Sequence, residues 1–385
     1  MRIGILGAGQ LGRMLALAGL PLDTSFSFYD TSGSPTAGIG EIIVDPSSSH
    51  EKLNEFLAKI DIATYEFENI PLGLTQEVEK YKPLHPSSKS IRICQNRVEE
   101  KKLFAQLGIP TASYKVATSA EELKQAATEL GCPVVAKSAT DGYDGKGQAV
   151  LKSPEDASAA WQSIGHSTLV VESFVEFDRE VSMIAVRSRD GDVAFYPMAE
   201  NVHKDGILRY SIAPAPELNN DVKAVAESYI RDLLNELGHV GVLTLELFVT
   251  PRGLLANEMA PRVHNSGHWS MNGAKCSQFE NHIRAIAGLP LGDTSAISPT
   301  CMINLIGTAG SKEDTLKLPY VHLHMYGKEE RAGRKIGHIN IVADTYKELI
   351  WRVESTIERV PSCPAFECSL TRTVKVQENN GATDS

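Results

Sequence analysis

The chain opens "RIGILGAGQLGRMLALAG", an apolar run, a glycine turn and a helical stretch in immediate succession. An apolar strand that feeds a helix through so tight a turn belongs in an open parallel sheet flanked by helices. The pattern continues with "SFSFYD", a helix in "SHEKLNEFLAKI", the strand "DIATYEF", a helix from Pro71 and a short run at "KPLHP". Residues 1–95 therefore read as one α/β unit. Gly7, Gly9 and Gly12 spell G-x-G-x-x-G, and Asp30 closes the next strand near where an acid would meet a ribose. Those two features leave a nicotinamide-dependent oxidoreductase open.

The helix "NRVEEKKLFAQLGIP", stopped by Gly108 and Pro110, links this unit to a different texture. From Thr111 the strand "SYKVA" meets a helix whose start carries a capping box, Ser119 with Glu122. Strand-like runs then dominate, broken by a helix at 154–163, an amphipathic helix over 219–237 and another around 345–358. The arrangement is α+β. The final "QENNGATDS" is polar and reads as disordered. A net charge of −10 argues against a nucleic-acid binder, and no apolar run has the length of a membrane helix. The six cysteines (94, 132, 276, 301, 363 and 368) fit no zinc pattern, and the N-terminus lacks the features of a secretory signal. A cytoplasmic enzyme is expected.

Two stretches carry chemistry. "AKSATDGYDGKGQAV" joins two strands, so its glycines form a hairpin flap whose amides can cradle phosphate oxygens, with Lys137 and Lys146 beside it. A mobile surface hairpin with a solvated lysine explains that stretch equally well. "LTLELFVTPRGLLANEMAPR" is more telling. A three-residue loop at Pro251, Arg252 and Gly253 places Thr250 opposite Leu254, Phe248 opposite Ala256 and Glu246 opposite Glu258. Two carboxylates directly paired on one sheet face repel, and a divalent cation between them relieves this. The competing reading is a solvated face. The apolar neighbours of Glu246 favour the metal. His264 and His268 lack a third ligand, which excludes zinc there.

Lys137, "DGYDGKGQ", "VVESFV" followed by "REVS", Glu246 and "NEMAPRVHNSGH" occur in the order of the ATP-grasp ligases. From "GAGQLGRM" through "HKDGILR" to "GRKIGHIN" the chain resembles, within them, the 5-(carboxyamino)imidazole ribonucleotide synthase family of purine biosynthesis. The resemblance implies a Rossmann-like pre-ATP-grasp domain over 1–95 and a two-lobed ATP-grasp domain over 96–295, with a mobile lobe at about 111–172. A small β-rich C-terminal domain over 296–376 and a disordered tail at 377–385 complete the expectation. Two departures stand out: Asp141 replaces a usual flap glycine, and Ala260 stands where many ATP-grasp enzymes place an asparagine ligand.

The resemblance also implies roles. Arg97 and Lys137 contact phosphate, and Gly142, Tyr143, Asp144, Gly145, Lys146, Gly147 and Gln148 form the flap. Adenine meets the backbone of Glu172, Ser173, Phe174 and Val175. Glu180 accepts from the ribose, His203 and Asn257 complete the nucleotide site, and Glu246 and Glu258 hold Mg²⁺ or Mn²⁺. The phosphorylated second substrate, 5-aminoimidazole ribonucleotide, falls to Gln10, Leu11, Glu68, Tyr143, Arg262, His264, Asn265, Ser266, Lys328, Arg334 and Lys335. ATP and bicarbonate give carboxyphosphate and ADP, with Lys137, Arg262 and Asp144 catalytic and Asp144 handling the amine. A homodimer that passes its product to a separate mutase is the implied assembly. A formate-using ligase acting on glycinamide ribonucleotide and a non-catalytic nucleotide-binding regulator are the other readings. "YDGKGQ" and "HNSGH" argue against the first, and the complete set of lysine and metal positions against the second.

Overall fold

The computed structural model describes residues 1–47, 49–140, 147–165 and 167–360, together with Phe366, Cys368, Ser369 and Thr371. Asp141, the flap positions Gly142 to Lys146, Cys363 and the tail 377–385 lie outside the described residues. Among the described residues the strands form three sheets, and no helix is long and apolar enough to cross a membrane.

The first sheet is parallel, in the order Glu41–Val44, Ser25–Asp30, Arg2–Leu6, Ile62–Tyr65. Its three strands other than Glu41–Val44 are buried on both faces, as helix-covered parallel strands require. The four-residue strand Glu41–Val44, between a glycine and a proline, is too short to show in the sequence pattern. Leu6 pairs with Tyr65, so the glycine turn and the segment Glu66 to Glu68 leave the sheet side by side at its carboxyl edge. Ligands bind at that edge in open α/β sheets. Asp30 instead closes its own loop, accepting from Gly33 N (2.9 Å) and Ser32 Oγ (2.9 Å).

A small antiparallel sheet runs Tyr114–Ala117, Leu169–Ser173, Val134–Ser138, Gln148–Leu151. The helix Ala120–Leu130 packs on it and starts on half of the predicted capping box: Glu122 N donates to Ser119 Oγ at 3.1 Å, but the Glu122 carboxylate accepts from Thr118 N (2.6 Å) and not from Ser119 N. The large sheet runs Gly253–Ala260, Gly241–Thr250, Arg179–Arg187, Ala199–Lys204, Ile207–Ala213, Thr300–Ile306, Lys335–Val342, Val321–Met325. Val193–Phe195 pairs off its side. The β-rich C-terminal part thus continues the sheet that carries the two glutamates. The helix Asn220–Leu237 covers this sheet with Ala226, Ile230, Leu233, Leu234 and Leu237, one stripe at helical spacing. Asn219 caps its start and Gly238, in the left-handed conformation at φ 56°, ends it. Burying each of those large side chains contributes about 1.5–3 kcal/mol.

Two buried histidines join the parallel unit to the large sheet through one residue. Val242 N donates to His282 Nδ1 (3.1 Å), which leaves Nε2 to donate to Thr64 Oγ1 (2.9 Å). His239 Nε2 donates to Val242 O (3.0 Å), while its Nδ1 accepts from Ser90 Oγ (3.1 Å). Burial pushes His239 down to about 4 and His282 down to about 3, so both are neutral.

Candidate active site

The glycine turn already holds an anion. The carboxylate of Glu66 accepts from Gly9 N through Oε1 and from Gly12 N through Oε2 (2.7 Å). A Cβ on Gly9 would stand 2.7 Å from Glu66 Oε1, and one on Gly7, at φ +97°, would strike Phe67 at 2.5 Å. The glycines are therefore required for the packing of Glu66 and Phe67. The helix N-terminus that would receive a dinucleotide pyrophosphate is filled by an internal carboxylate. The amides of Gly9 and Gly12 are thus occupied by the chain itself. Gln10 and Leu11, the next residues, still line a large cavity.

At the hairpin the loop is one residue shorter than predicted: Thr250 pairs with Gly253, Phe248 with Leu255 and Leu247 with Ala256. Continued regularly, that register would set Glu246 against Asn257 and turn Glu258 away. The register shifts, however, and beyond it Leu245 pairs with Met259 and Thr244 with Ala260. This bulge sets both Asn257 and Glu258 against Glu246, so all three line the cavity. The short loop and the bulge cancel, and the predicted acid pair survives.

The pair is electrostatically divided. Burial and the Glu258 carboxylate raise the pKa of Glu246. Burial acts the same way on Glu258, but Arg97, donating to its Oε2 at 2.7 Å, holds it below the ordinary carboxylate range. His264 Nδ1 accepts from Ser266 N (3.3 Å), and its Nε2 lies 3.2 Å from Glu246 Oε1. Burial keeps His264 well below its usual pKa and hence neutral. One step from Arg97, burial pushes Glu100 up to about 8 while it accepts from Met259 N at 2.7 Å.

Lys137 Nζ pairs with Glu172 Oε2 (2.6 Å) and donates to Asn257 Oδ1 (3.2 Å), spanning the two antiparallel sheets. Glu180 bonds His203 through Nδ1. Burial opposes charge on His203, but that bond and the carboxylates of Glu180, Glu246 and Glu258 raise its pKa. Arg262 pairs with Glu68 at 2.9 Å, and Lys328 donates to Gln10 Oε1. All of these groups except Glu172 line one cavity of about 800 Å³, which Leu11 and Asn265 line as well.

This layout is matched by known proteins. Residues 1–95 match the ribonucleotide synthetase pre-ATP-grasp domain, 102–279 the ATP-grasp domain, and 300–352 the phosphoribosylaminoimidazole carboxylase C-terminal domain. The N5-carboxyaminoimidazole ribonucleotide synthase of Pseudomonas aeruginosa is 44% identical over 362 residues, covering 93% of this chain and 100% of that protein. The chain belongs to the N5-carboxyaminoimidazole ribonucleotide synthase family. The crystal structure of the synthetase from Thermus thermophilus superimposes with a TM-score of 0.90 at 44% identity, covering 95% of this chain and 100% of the other. The synthase from Aspergillus clavatus, crystallised in complex with ADP and 5-aminoimidazole ribonucleotide, gives a TM-score of 0.85 at 28% identity, covering 93% and 97%.

Of the residues singled out from the sequence, Arg97, Lys137, Gln148, Glu180, His203, Asn257, Glu246 and Glu258 line the cavity. Gln10, Leu11, Glu68, Arg262, His264, Asn265, Lys328, Arg334 and Lys335 line it as well. Ser266 does not: it is fully buried, with its hydroxyl bonded to Ser182 (2.8 Å) and His264 (2.8 Å). Glu172, Ser173, Phe174 and Val175 lie outside the lining, and the amides of Ser173 and Phe174 are spent on Ser113 O (2.9 Å) and Pro133 O (3.2 Å). Gly147, at φ 69°, accepts through its carbonyl from Ser138 N (2.7 Å) at the root of the flap. Glu66, Glu100 and Lys101 are not marked by any local sequence signal. Glu66 sits two residues from Glu68, and Glu100 and Lys101 sit three and four residues from Arg97, while the partner of each is distant in the chain.

Proposed function

We propose that this chain is a carbon–nitrogen ligase that carboxylates the exocyclic amine of 5-aminoimidazole ribonucleotide, consuming ATP and bicarbonate. The observation that carries the reading is a single cavity lined both by Glu246, Glu258 and Lys137 and by Gln10, Asn265 and Lys328. Among the described residues, both polar atoms of the Asn265 side chain are buried without a partner, as groups awaiting a substrate are. The pairing of ADP with 5-aminoimidazole ribonucleotide in the Aspergillus clavatus relative supports the same two ligands here.

In the first stage a bicarbonate oxygen attacks the γ-phosphorus of ATP. The bond to the β-bridging oxygen breaks, and ADP leaves carboxyphosphate behind. Lys137 and Arg97 set positive charge against the transferring group, and a closed flap excludes water from the intermediate. The donor set fits a divalent cation: two carboxylates that line the cavity and whose repulsion raises Glu246, with room for phosphate oxygens beside them. Glu246 and Glu258 would hold Mg²⁺, or Mn²⁺ in its place, and the ion would neutralise phosphate charge. In the second stage the amine nitrogen attacks the carboxyl carbon, directly or as released CO₂, and phosphate departs. The nitrogen gives up its proton to Asp144, and Arg262, steadied by Glu68, faces the anionic carboxyl group. The reading extends to a cytoplasmic homodimer whose product goes to a separate mutase.

Purified protein should release ADP only when 5-aminoimidazole ribonucleotide, Mg²⁺ and bicarbonate are all present, as followed by a coupled ADP assay. ADP release that ignores the ribonucleotide would overturn the assignment.

A further inference from the structure

The helix Arg97–Gln106 is capped by Asn96, whose Oδ1 accepts from Val98 N (2.9 Å) and Glu99 N (3.3 Å). Its inward face is charged. Arg97 reaches Glu258, Glu100 reaches Met259 N, and Lys101 reaches the small sheet. The "EEKK" run resembles a solvated face, and Lys102 does pair in solvent with Glu99. Lys101 is different. Its side chain is only 2% exposed, and its Nζ lies 2.6 Å from Glu172 Oε1. Glu172 Oε2 receives Lys137 at the same distance, 2.6 Å.

We infer that Lys101 is a positioning residue for the phosphate site: it shares the charge of Glu172, so that Lys137 keeps a positive charge free for the nucleotide. This rests on the reading of Lys137 as a phosphate ligand. A buried carboxylate paired with one ammonium makes a neutral couple, and in a low-dielectric interior that attraction competes with any phosphate. With one ammonium on each oxygen the triad carries one net positive charge. Burial would raise the pKa of Glu172, but the two ammonium groups hold it below the usual range, so the carboxylate is ionised. The second lysine comes from the linking helix, while Glu172 and Lys137 come from adjacent strands of the small sheet. Lys101 therefore also fixes where the carboxylate stands relative to the strand bearing Glu258.

A merely structural Lys101 would disturb the adenine-side backbone around Glu172 as much as the phosphate side, and calorimetry with three probes separates the two roles. In Lys101→Met and Lys101→Gln, Glu172 retains Lys137, so no carboxylate is left unpaired. Both variants should bind MgATP and MgADP about 10- to 100-fold more weakly, the usual cost of an outer-shell partner, with adenosine binding unchanged. Lys101→Arg should restore phosphate-dependent binding. Equal weakening for all three probes, or unchanged MgATP binding in either folded neutral variant, would overturn the inference. If the wild-type protein fails to bind MgATP, the functional reading falls instead.

Discussion

Acid should weaken the junction at Val242, and the size of the effect follows from two rings. His282 accepts from Val242 N, and His239 accepts from Ser90 Oγ, each through a nitrogen that must be unprotonated. Burial pushes their values down to about 3 and about 4 from an unfolded value near 6.5. The unfolded chain therefore binds more protons below about pH 6.5, and stability falls as pH falls. The contribution is complete above that pH and is lost progressively toward the folded values. From about pH 8 to about pH 5, each ring costs about 2 kcal/mol, by linkage between the two pKa values. His282→Asn keeps an acceptor near Val242 N but does not titrate. Urea unfolding followed by circular dichroism should find this variant less stable at about pH 8, yet with a pH dependence shallower by about 2 kcal/mol. Carboxylate titrations are common to both proteins and cancel. Parallel stability-versus-pH curves for the two would refute the argument.

Glu258→Gln removes one charge of the acid pair. ADP release should drop on the order of a hundredfold, with the circular dichroism spectrum retained. Wild-type turnover would remove the metal site. Gly9→Ala forces a methyl group to 2.7 Å from Glu66 Oε1, and overpacking of this kind costs about 1–3 kcal/mol. A thermal melt should report that loss, and an unchanged midpoint would mean the carboxylate does not depend on the turn.

The fold was legible where periodicity is local. The parallel unit, the amphipathic stripe of Asn220–Leu237 and the cap at Ser119 are each written within a dozen or so residues. The acid pair was legible for a different reason: its predicted register was wrong at the loop and restored at the bulge. No local signal announces a bulge, because it satisfies the cavity and not the hairpin. Glu66 and Lys101 were hidden for a shared physical cause. Buried charge in a sequence resembles exposed charge until its partner is known, and the Lys101 partner, Glu172, is 71 residues away by their numbers. "YEFEN" likewise offers two glutamates, and nothing local separates Glu68, which lines the cavity, from Glu66, which closes the glycine turn. The glycine pattern does not by itself choose a ligand, because its stereochemistry is generic. It permits close approach by any anion, including one from the chain itself.

The continuity of the large sheet bears on how such a chain can be assembled in evolution. Three family matches parse it into pieces, but Ile207–Ala213 pairs directly with Thr300–Ile306 across the boundary between the second and third. Neither piece can be exchanged as a freestanding cassette, since cutting there would bare two long, apolar strand edges. The loop bearing Lys328 and Arg334 hangs between two strands of that same sheet, with Lys335 opening the second. Those side chains are thus inherited together with the strands bearing Glu246 and Glu258, and a change at one end of the cavity need not wait for a change of domain.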